Sequence, residues 1–122
     1  MFAEEFEKII WRDALTGIDF MTRWDERCRA MRHVLDRFQQ CRLGRVEIRH
    51  IDVEDRNLER IIRRYDIISV PTILFFFRGE VIWRETGLQS LEHLLKVLDE
   101  LDNRLRIGQQ DGSKRQASSS WT

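Results

Sequence analysis

The stretch TILFFFRGEVIWRET, residues 72–86, is the part of the sequence that decides the fold. Its first six residues are continuously apolar, which is typical of a strand covered on both faces. Arg78 and Gly79 then form a turn signal, and VIWRET follows as a second strand-like run. The stretch therefore predicts an antiparallel hairpin.

Two further strands are predicted upstream of this hairpin. ALTGIDFM, residues 14–21, is an apolar run with one embedded acid, Asp19, which suits a buried strand. RVEIRHIDV, residues 45–53, alternates apolar Val46 and Ile48 with polar residues, which is typical of a strand. Because a helical segment joins these two strands, we expect them to run parallel.

Apolar residues at helical spacing predict four helices. They are marked by Phe6, Ile9 and Ile10; by Cys28, Met31, Leu35 and Phe38, ending at Gly44; by Leu58, Ile61, Ile62 and Tyr65; and by the leucines that follow a capping Ser90. The order α-β-α-β-α-β-β-α predicts an α/β domain, with a four-stranded mixed central sheet flanked by helices on both faces. We expect this domain to span residues 1–106 and the polar tail, residues 107–122, to be disordered.

The composition is that of an ordinary globular domain. Lys plus Arg and Asp plus Glu are equal at 21 each, so no overall basic field points to nucleic acid or to an anionic membrane. No apolar run is long enough for a membrane span, and the acidic N-terminal segment lacks the apolar core of a signal peptide. Two cysteines do not make a disulfide scaffold, so we expect a reduced, cytoplasmic protein.

No pattern of residues predicts a metal or a cofactor. His33, His50 and His93 fall on three different predicted elements, and neither the His nor the Cys spacing resembles a metal site. The sequence also has no glycine-rich phosphate loop and no arrangement suited to a Ser-His-Asp triad.

Three segments, in order and at the right separations, resemble the thioredoxin family over roughly residues 5–103. They are IDFMTRWDERC, RHIDVEDRN and YDIISVPTILFFFRGEVIWRETG. The resemblance implies the thioredoxin fold. In the first segment Asp19 falls on the family's buried acid, Trp24 on its active-site tryptophan, and Cys28 on its second, resolving cysteine.

Two departures separate the chain from the family's pattern. Asp25 replaces the first cysteine of the Cys-Gly-Pro-Cys motif, so the site reads DxxC, and the family's buried lysine falls on Ile48. A carboxylate has no sulfur to exchange, so we do not expect a dithiol-disulfide oxidoreductase. We expect Asp25 to cap the following helix, with a general-base or substrate-charge role as the alternative.

The resemblance also implies a peptide-binding groove, to which Trp24, Val70, Pro71 and Gly87 correspond. Pro71 takes the place of the family's cis-proline, before which the backbone pairs with an extended substrate. This pairing uses main-chain hydrogen bonds and needs no thiol. We therefore expect a redox-inactive module that binds a protein or peptide partner in this groove.

Cys28 leaves an alternative open, a monothiol redox protein that acts by thiol–disulfide exchange or glutathionylation. It would contribute to redox homeostasis, with Asp19 as a proton relay. Against this reading, Cys28 lies on the apolar stripe of its helix, and Asp25 one turn earlier disfavours the thiolate. Cys41 lies about 20 Å further along the same predicted helix, too far for a disulfide. A third reading is an assembly role through arginine-rich helix faces or Cys41.

Overall fold

A computed structural model of the chain describes residues 1–115, with the side chains of residues 1–106. Its elements follow the predicted order. The helices are α1 (Ala3–Ile10), α2 (Glu26–Cys41), α3 (Glu59–Arg64) and α4 (Leu91–Arg115), and the strands are β1 (Leu15–Met21), β2 (Val46–Asp52), β3 (Thr72–Phe77) and β4 (Glu80–Thr86). A short 3-10 helix, Arg56–Leu58, leads into α3.

The four strands form one mixed sheet in the order β2-β1-β3-β4. β1 runs parallel to β2 and antiparallel to β3, and β3 and β4 form an antiparallel hairpin. Arg78 and Gly79, both with positive φ, make the hairpin turn. The predicted mixed sheet, parallel pair and hairpin are therefore confirmed.

Helices cover both faces of this sheet, because successive side chains of a strand point to opposite sides. On one face, Phe6 of α1 meets Phe76 edge-on with ring centroids 5.9 Å apart, and Ile61 of α3 belongs to the same buried cluster. On the other face, Phe38 of α2 stacks on Phe75 with ring centroids 6.1 Å apart. This arrangement confirms the predicted α/β class.

The second helix is shorter than the sequence predicts. It ends at Cys41, three residues before Gly44. The Arg42 N–H donates to the Gln39 carbonyl at 3.2 Å, which tightens the last turn. Gly44, with φ of 81°, instead lies in the turn that leads to β2, where its backbone adopts a left-handed conformation.

Residues 1–89 form one compact unit, and the chain from residue 90 onwards forms a second. Within the second unit the Ser90 Oγ accepts a hydrogen bond from the His93 N–H at 3.1 Å, as expected of an N-cap. The disordered tail predicted for residues 107–122 stays a prediction. The side chains of residues 107–115 and all atoms of residues 116–122 lie outside the described part of the chain.

Within the described residues, no helix has both the length and the apolar character needed to cross a bilayer.

The centre of β1 has no room for a side chain at residue 17. A Cβ built on Gly17 would lie 2.6 Å from the Ile48 Cδ1 and 2.8 Å from the Phe75 Cε1. The Phe75 ring is stacked between Phe38 and Trp83, whose ring centroid is 5.1 Å away. Phe75 therefore cannot move aside without disturbing two other aromatic rings.

We expect Gly17→Val to lower the free energy of unfolding by about 1–3 kcal/mol, because the added methyl groups overpack the core at Phe75. Urea denaturation of the purified variant measures the change. Ala30→Val is the matched control, since Ala30 is exposed on α2. Equal losses in the two variants would contradict the close packing described here.

Candidate functional site

Asp25 occupies the start of α2 and caps it, as the sequence predicts. Its Oδ1 accepts hydrogen bonds from the N–H groups of Arg27, at 2.8 Å, and Cys28, at 3.2 Å. The Arg27 guanidinium beside it, helped by these two amides, lowers the pKa of the Asp25 carboxyl. A carboxylate thus satisfies the free N–H groups at a helix start, the place where thioredoxin chemistry needs a thiolate.

Cys28 lies within the first turn of α2 and is 2% exposed. Burial raises the pKa of its thiol, and the charges of Asp25 and Asp19 raise it further. The Thr22 backbone N–H and the Arg27 charge oppose this increase. Since burial is the largest of these effects, Cys28 is a protonated thiol at neutral pH and a poor nucleophile.

A pocket of about 210 Å³ borders this thiol. It is lined by Met21, Thr22, Arg23, Cys28, Arg29 and Arg32. The buried Thr22 Oγ1 has no hydrogen-bond partner among the described residues. None of the four predicted groove residues lines this pocket.

Asp19 is buried in the middle of the sheet and pairs with His50. The two residues are register partners across the parallel strands β1 and β2, and the His50 Nδ1 lies 2.8 Å from the Asp19 Oδ2. Asp19 is 1% exposed, and its second oxygen, Oδ1, has no hydrogen-bond partner among the described residues. His50 therefore supplies the only polar contact of this carboxyl in the described part of the chain.

Sequence reasoning missed His50 and placed it among unrelated histidines. The family comparison pointed instead to Ile48, which is apolar and packs beside Gly17. The available signal was the register of the parallel strands. Asp19 and His50 each stand one residue before a buried apolar residue, Phe20 and Ile51, and both these pairs are aligned across the strands.

The second group of predicted residues lies only partly at the surface: Trp24 is exposed, Val70 and Gly87 are half-buried, and Pro71 is buried. The Val70–Pro71 peptide bond is cis, and the Pro71 carbonyl accepts the Gly87 N–H at 2.8 Å. Gly87 has φ of 98°, and a Cβ built on it would meet no atom within 4 Å, so the space beside it is open. We call the surface formed by Trp24, Val70, Pro71 and Gly87 the proline groove.

Large apolar side chains at or next in sequence to the groove residues are exposed. Trp24 is 75% exposed, and Ile68, two residues before Val70, is 92% exposed. Leu88, next to Gly87, is half exposed. These three exposed apolar side chains are candidates for contact with a partner.

One contact in the proline groove was not predicted. The Arg27 Nη2 donates to the Val70 carbonyl at 3.0 Å and also lies 3.4 Å from the Asp25 Oδ2. The Val70 N–H donates to no acceptor among the described residues. Of the two backbone groups that an added strand would use at Val70, one is therefore open and the other is occupied.

The described residues include neither a cluster suited to a metal ion nor a disulfide. No three His, Cys, Asp or Glu side chains among them gather as a metal ion would require. Cys28 and Cys41 lie on the same helix, α2, the first buried and the second exposed, and neither forms a disulfide.

Comparisons with known proteins bear on the family and the fold of the chain. A family model described as thioredoxin matches residues 1–100. The thioredoxin of Staphylococcus epidermidis is 29% identical over 82 residues, which cover 67% of this chain and 77% of that protein. The thioredoxin of Staphylococcus aureus is 28% identical over 82 residues, with the same coverage of both chains. The crystal structure of a Malassezia sympodialis thioredoxin superposes with a TM-score of 0.71 at 22% identity, covering 81% of this chain and 84% of that one.

We expect His50→Leu to lower the free energy of unfolding by about 1–3 kcal/mol, because it leaves the buried Asp19 carboxyl without a partner. His33→Leu is the matched control, since His33 is exposed, and we expect it to change stability by less than about 0.5 kcal/mol.

The same experiment includes a double variant. Asp19→Asn combined with His50→Leu should cost less than the sum of the two single changes, because each single change already disrupts the hydrogen bond that joins the two side chains. Urea denaturation of all four variants measures these differences, and simple additivity would mean that the two side chains do not interact.

We expect iodoacetamide to alkylate Cys28 more slowly than Cys41 at neutral pH, because Cys28 is buried and its pKa is raised. The Cys28 rate should rise only at a pH above that at which a free cysteine ionises. Mass spectrometry of peptides from the alkylated protein measures both rates. Denaturing urea should make them equal, and faster alkylation of Cys28 in the folded protein would contradict the prediction.

Proposed function

This chain belongs to the thioredoxin family, and from that premise we propose that it is a redox-inactive module which binds an extended segment of another protein in the proline groove. The observation that carries the proposal is the pairing of two features. Asp25 caps α2 where the family's nucleophile would stand, while Trp24 and Ile68 remain exposed beside Val70. The chain thus lacks the first thiol of the dithiol pair, and it has exposed apolar side chains that support binding of a partner.

The dithiol reaction needs two sulfur atoms within disulfide distance. Asp25 supplies none, and Cys41 lies 13 residues beyond Cys28 on the same helix. At a rise of about 1.5 Å per residue the two cysteines are about 20 Å apart, while a disulfide needs Cα atoms within about 7 Å. The dithiol cycle therefore has no second partner for Cys28 in this domain.

Binding in the proline groove needs only backbone groups and apolar contacts. The open Val70 N–H can donate to a carbonyl of an extended peptide, as in strand addition. Gly87 leaves the opposite side of the groove free for the peptide backbone. Trp24 and Ile68 offer apolar surface to the peptide's side chains, and a tryptophan is a frequent anchor at such interfaces.

The cellular setting that we propose follows from the cysteines. Cys28 and Cys41 are both free, which suits the reducing conditions of the cytoplasm. The expected partner is a protein, since the balanced charge of the chain offers no general attraction for nucleic acid.

The alternative is a monothiol redox role for Cys28, and the pocket beside it is the feature in its favour. A small thiol or disulfide entering that pocket would approach the sulfur directly. Burial and the charges of Asp19 and Asp25 oppose the thiolate that such exchange requires. We therefore rank this role second.

The test is a selection of random peptides displayed on phage, bound to the immobilised protein in the presence of reductant. The selected peptides are then synthesised, and their dissociation constants are measured by fluorescence anisotropy. We expect Trp24→Ala to weaken binding at least about tenfold, because the indole is the largest exposed apolar group of the groove. Trp11→Ala is the matched control, since Trp11 is 60% exposed at the end of α1 and outside the groove.

Two further measurements separate the alternatives. Cys28→Ser should leave the peptide affinity unchanged if binding is thiol-independent. If a mixed disulfide holds the ligand instead, the wild type should capture it only when reductant is omitted, and Cys28→Ser should abolish that capture. Reduction of insulin by the protein with dithiothreitol, at the rate of an ordinary thioredoxin, would contradict the proposal. So would a selection that yields no peptide sensitive to Trp24→Ala.

A further inference from the structure

Arg27 already occupies one of the hydrogen-bonding groups that a peptide would use. Its Nη2 donates to the Val70 carbonyl at 3.0 Å, while the Val70 N–H stays open. A strand added at Val70 would bring its own N–H to that carbonyl. It must therefore compete with the Arg27 guanidinium or displace it.

The Arg27–Val70 hydrogen bond is well placed to open. The Arg27 side chain is 60% exposed, and its contact with Asp25 is long, at 3.4 Å. Asp25 is also engaged by two backbone N–H groups, so it does not depend on Arg27 to satisfy its charge. Displacing the guanidinium therefore leaves the helix cap in place and frees a cation at the centre of the groove.

We propose that the proline groove selects extended segments that carry an acidic side chain where the peptide passes Arg27, with apolar residues on either side. The inference rests on the proposed function. Arg27 leaves the Val70 carbonyl and pairs with the incoming carboxylate, while the peptide backbone pairs with both groups of Val70.

The chemistry of the guanidinium is the reason for this selectivity. A carboxylate accepts two parallel N–H bonds from an arginine, and such charge-assisted bonds are stronger than one bond to a neutral carbonyl. An acidic peptide thus offers Arg27 a better acceptor than the one it gives up. A neutral or basic peptide offers the Arg27 guanidinium no replacement acceptor. Its binding must therefore break the Arg27–Val70 hydrogen bond without compensation, which disfavours such ligands.

The apolar part of the ligand follows from the residues around Arg27. Trp24 immediately precedes Asp25, Ile68 lies two residues before Val70, and Leu88 follows Gly87, so each of three chain segments near the groove residues in sequence carries an exposed apolar side chain. These side chains suit apolar residues of the ligand. The fitting sequence is therefore a short extended segment with one Asp or Glu among apolar residues.

The experiment uses the peptide selected in the phage experiment, acetylated and amidated so that no terminal charge contributes. The peptide is compared with analogues in which its acid becomes Gln or Lys. Each is titrated by fluorescence anisotropy against the wild type, Arg27→Gln and Arg29→Gln. Arg29 is the matched control, because it carries the same charge two residues later and bonds to the Arg23 carbonyl outside the groove.

We expect the wild type to bind the acidic peptide about tenfold more tightly than its Gln analogue. Arg29→Gln should keep this preference. Arg27→Gln should lose it, and should bind the Gln analogue more tightly than the wild type does, because the Val70 carbonyl is then easier to reach. Arg27→Lys should keep only part of the preference, since lysine has charge without the planar fork.

Each outcome has one reading. An equal preference for the acid in wild type and Arg27→Gln would overturn the role of Arg27, and selected peptides without acids would overturn the ligand class. In both cases binding that is sensitive to Trp24→Ala would leave the proposed function standing. If the wild type binds no selected peptide, the proposed function itself is contradicted.

Discussion

The central strand β1 is buried on both faces, and this burial sets the conditions for the rest of the domain. At Gly17 the neighbouring side chains leave no room for a Cβ. At Asp19 a carboxyl enters the same interior and must bring a hydrogen-bonding partner, which the parallel strand β2 supplies as His50. Beyond Met21 the strand leads into the turn that ends at Asp25. The position of the whole site therefore follows from how β1 is packed.

The site has two parts with different chemistry, and one side chain connects them. The inner part holds a protonated thiol and a buried acid, while the outer part is an apolar groove with an open backbone N–H. Arg27 lowers the pKa of Asp25 in the first and hydrogen-bonds to Val70 in the second. The cation beside the helix start thus also hydrogen-bonds a backbone carbonyl of the groove.

Local patterns in the sequence were enough to predict the elements and the mixed sheet, while the groove residues Trp24, Val70, Pro71 and Gly87 came only from the family resemblance. The apolar run of β3, the alternation in β2 and the capping pattern at Asp25 each depend on residues close in the chain. His50 could not be found in this way, because its role depends on strand register, and the Arg27–Val70 contact spans 43 residues through a long flexible side chain. The lack of room for a side chain at Gly17 likewise comes from Ile48 and Phe75, which are distant in sequence and cannot be related to Gly17 by a periodic pattern.

The cap at Asp25 also bears on how such a protein evolves. An aspartate at this position stabilises a helix start by about 1 kcal/mol relative to a residue that cannot cap. A reversion to cysteine would lose that contribution before any catalytic benefit appeared, because catalysis also depends on the rest of the motif. Natural proteins stand only slightly above the stability they need, so a loss of this size is selected against. Folding stability alone therefore favours aspartate over cysteine at this helix start.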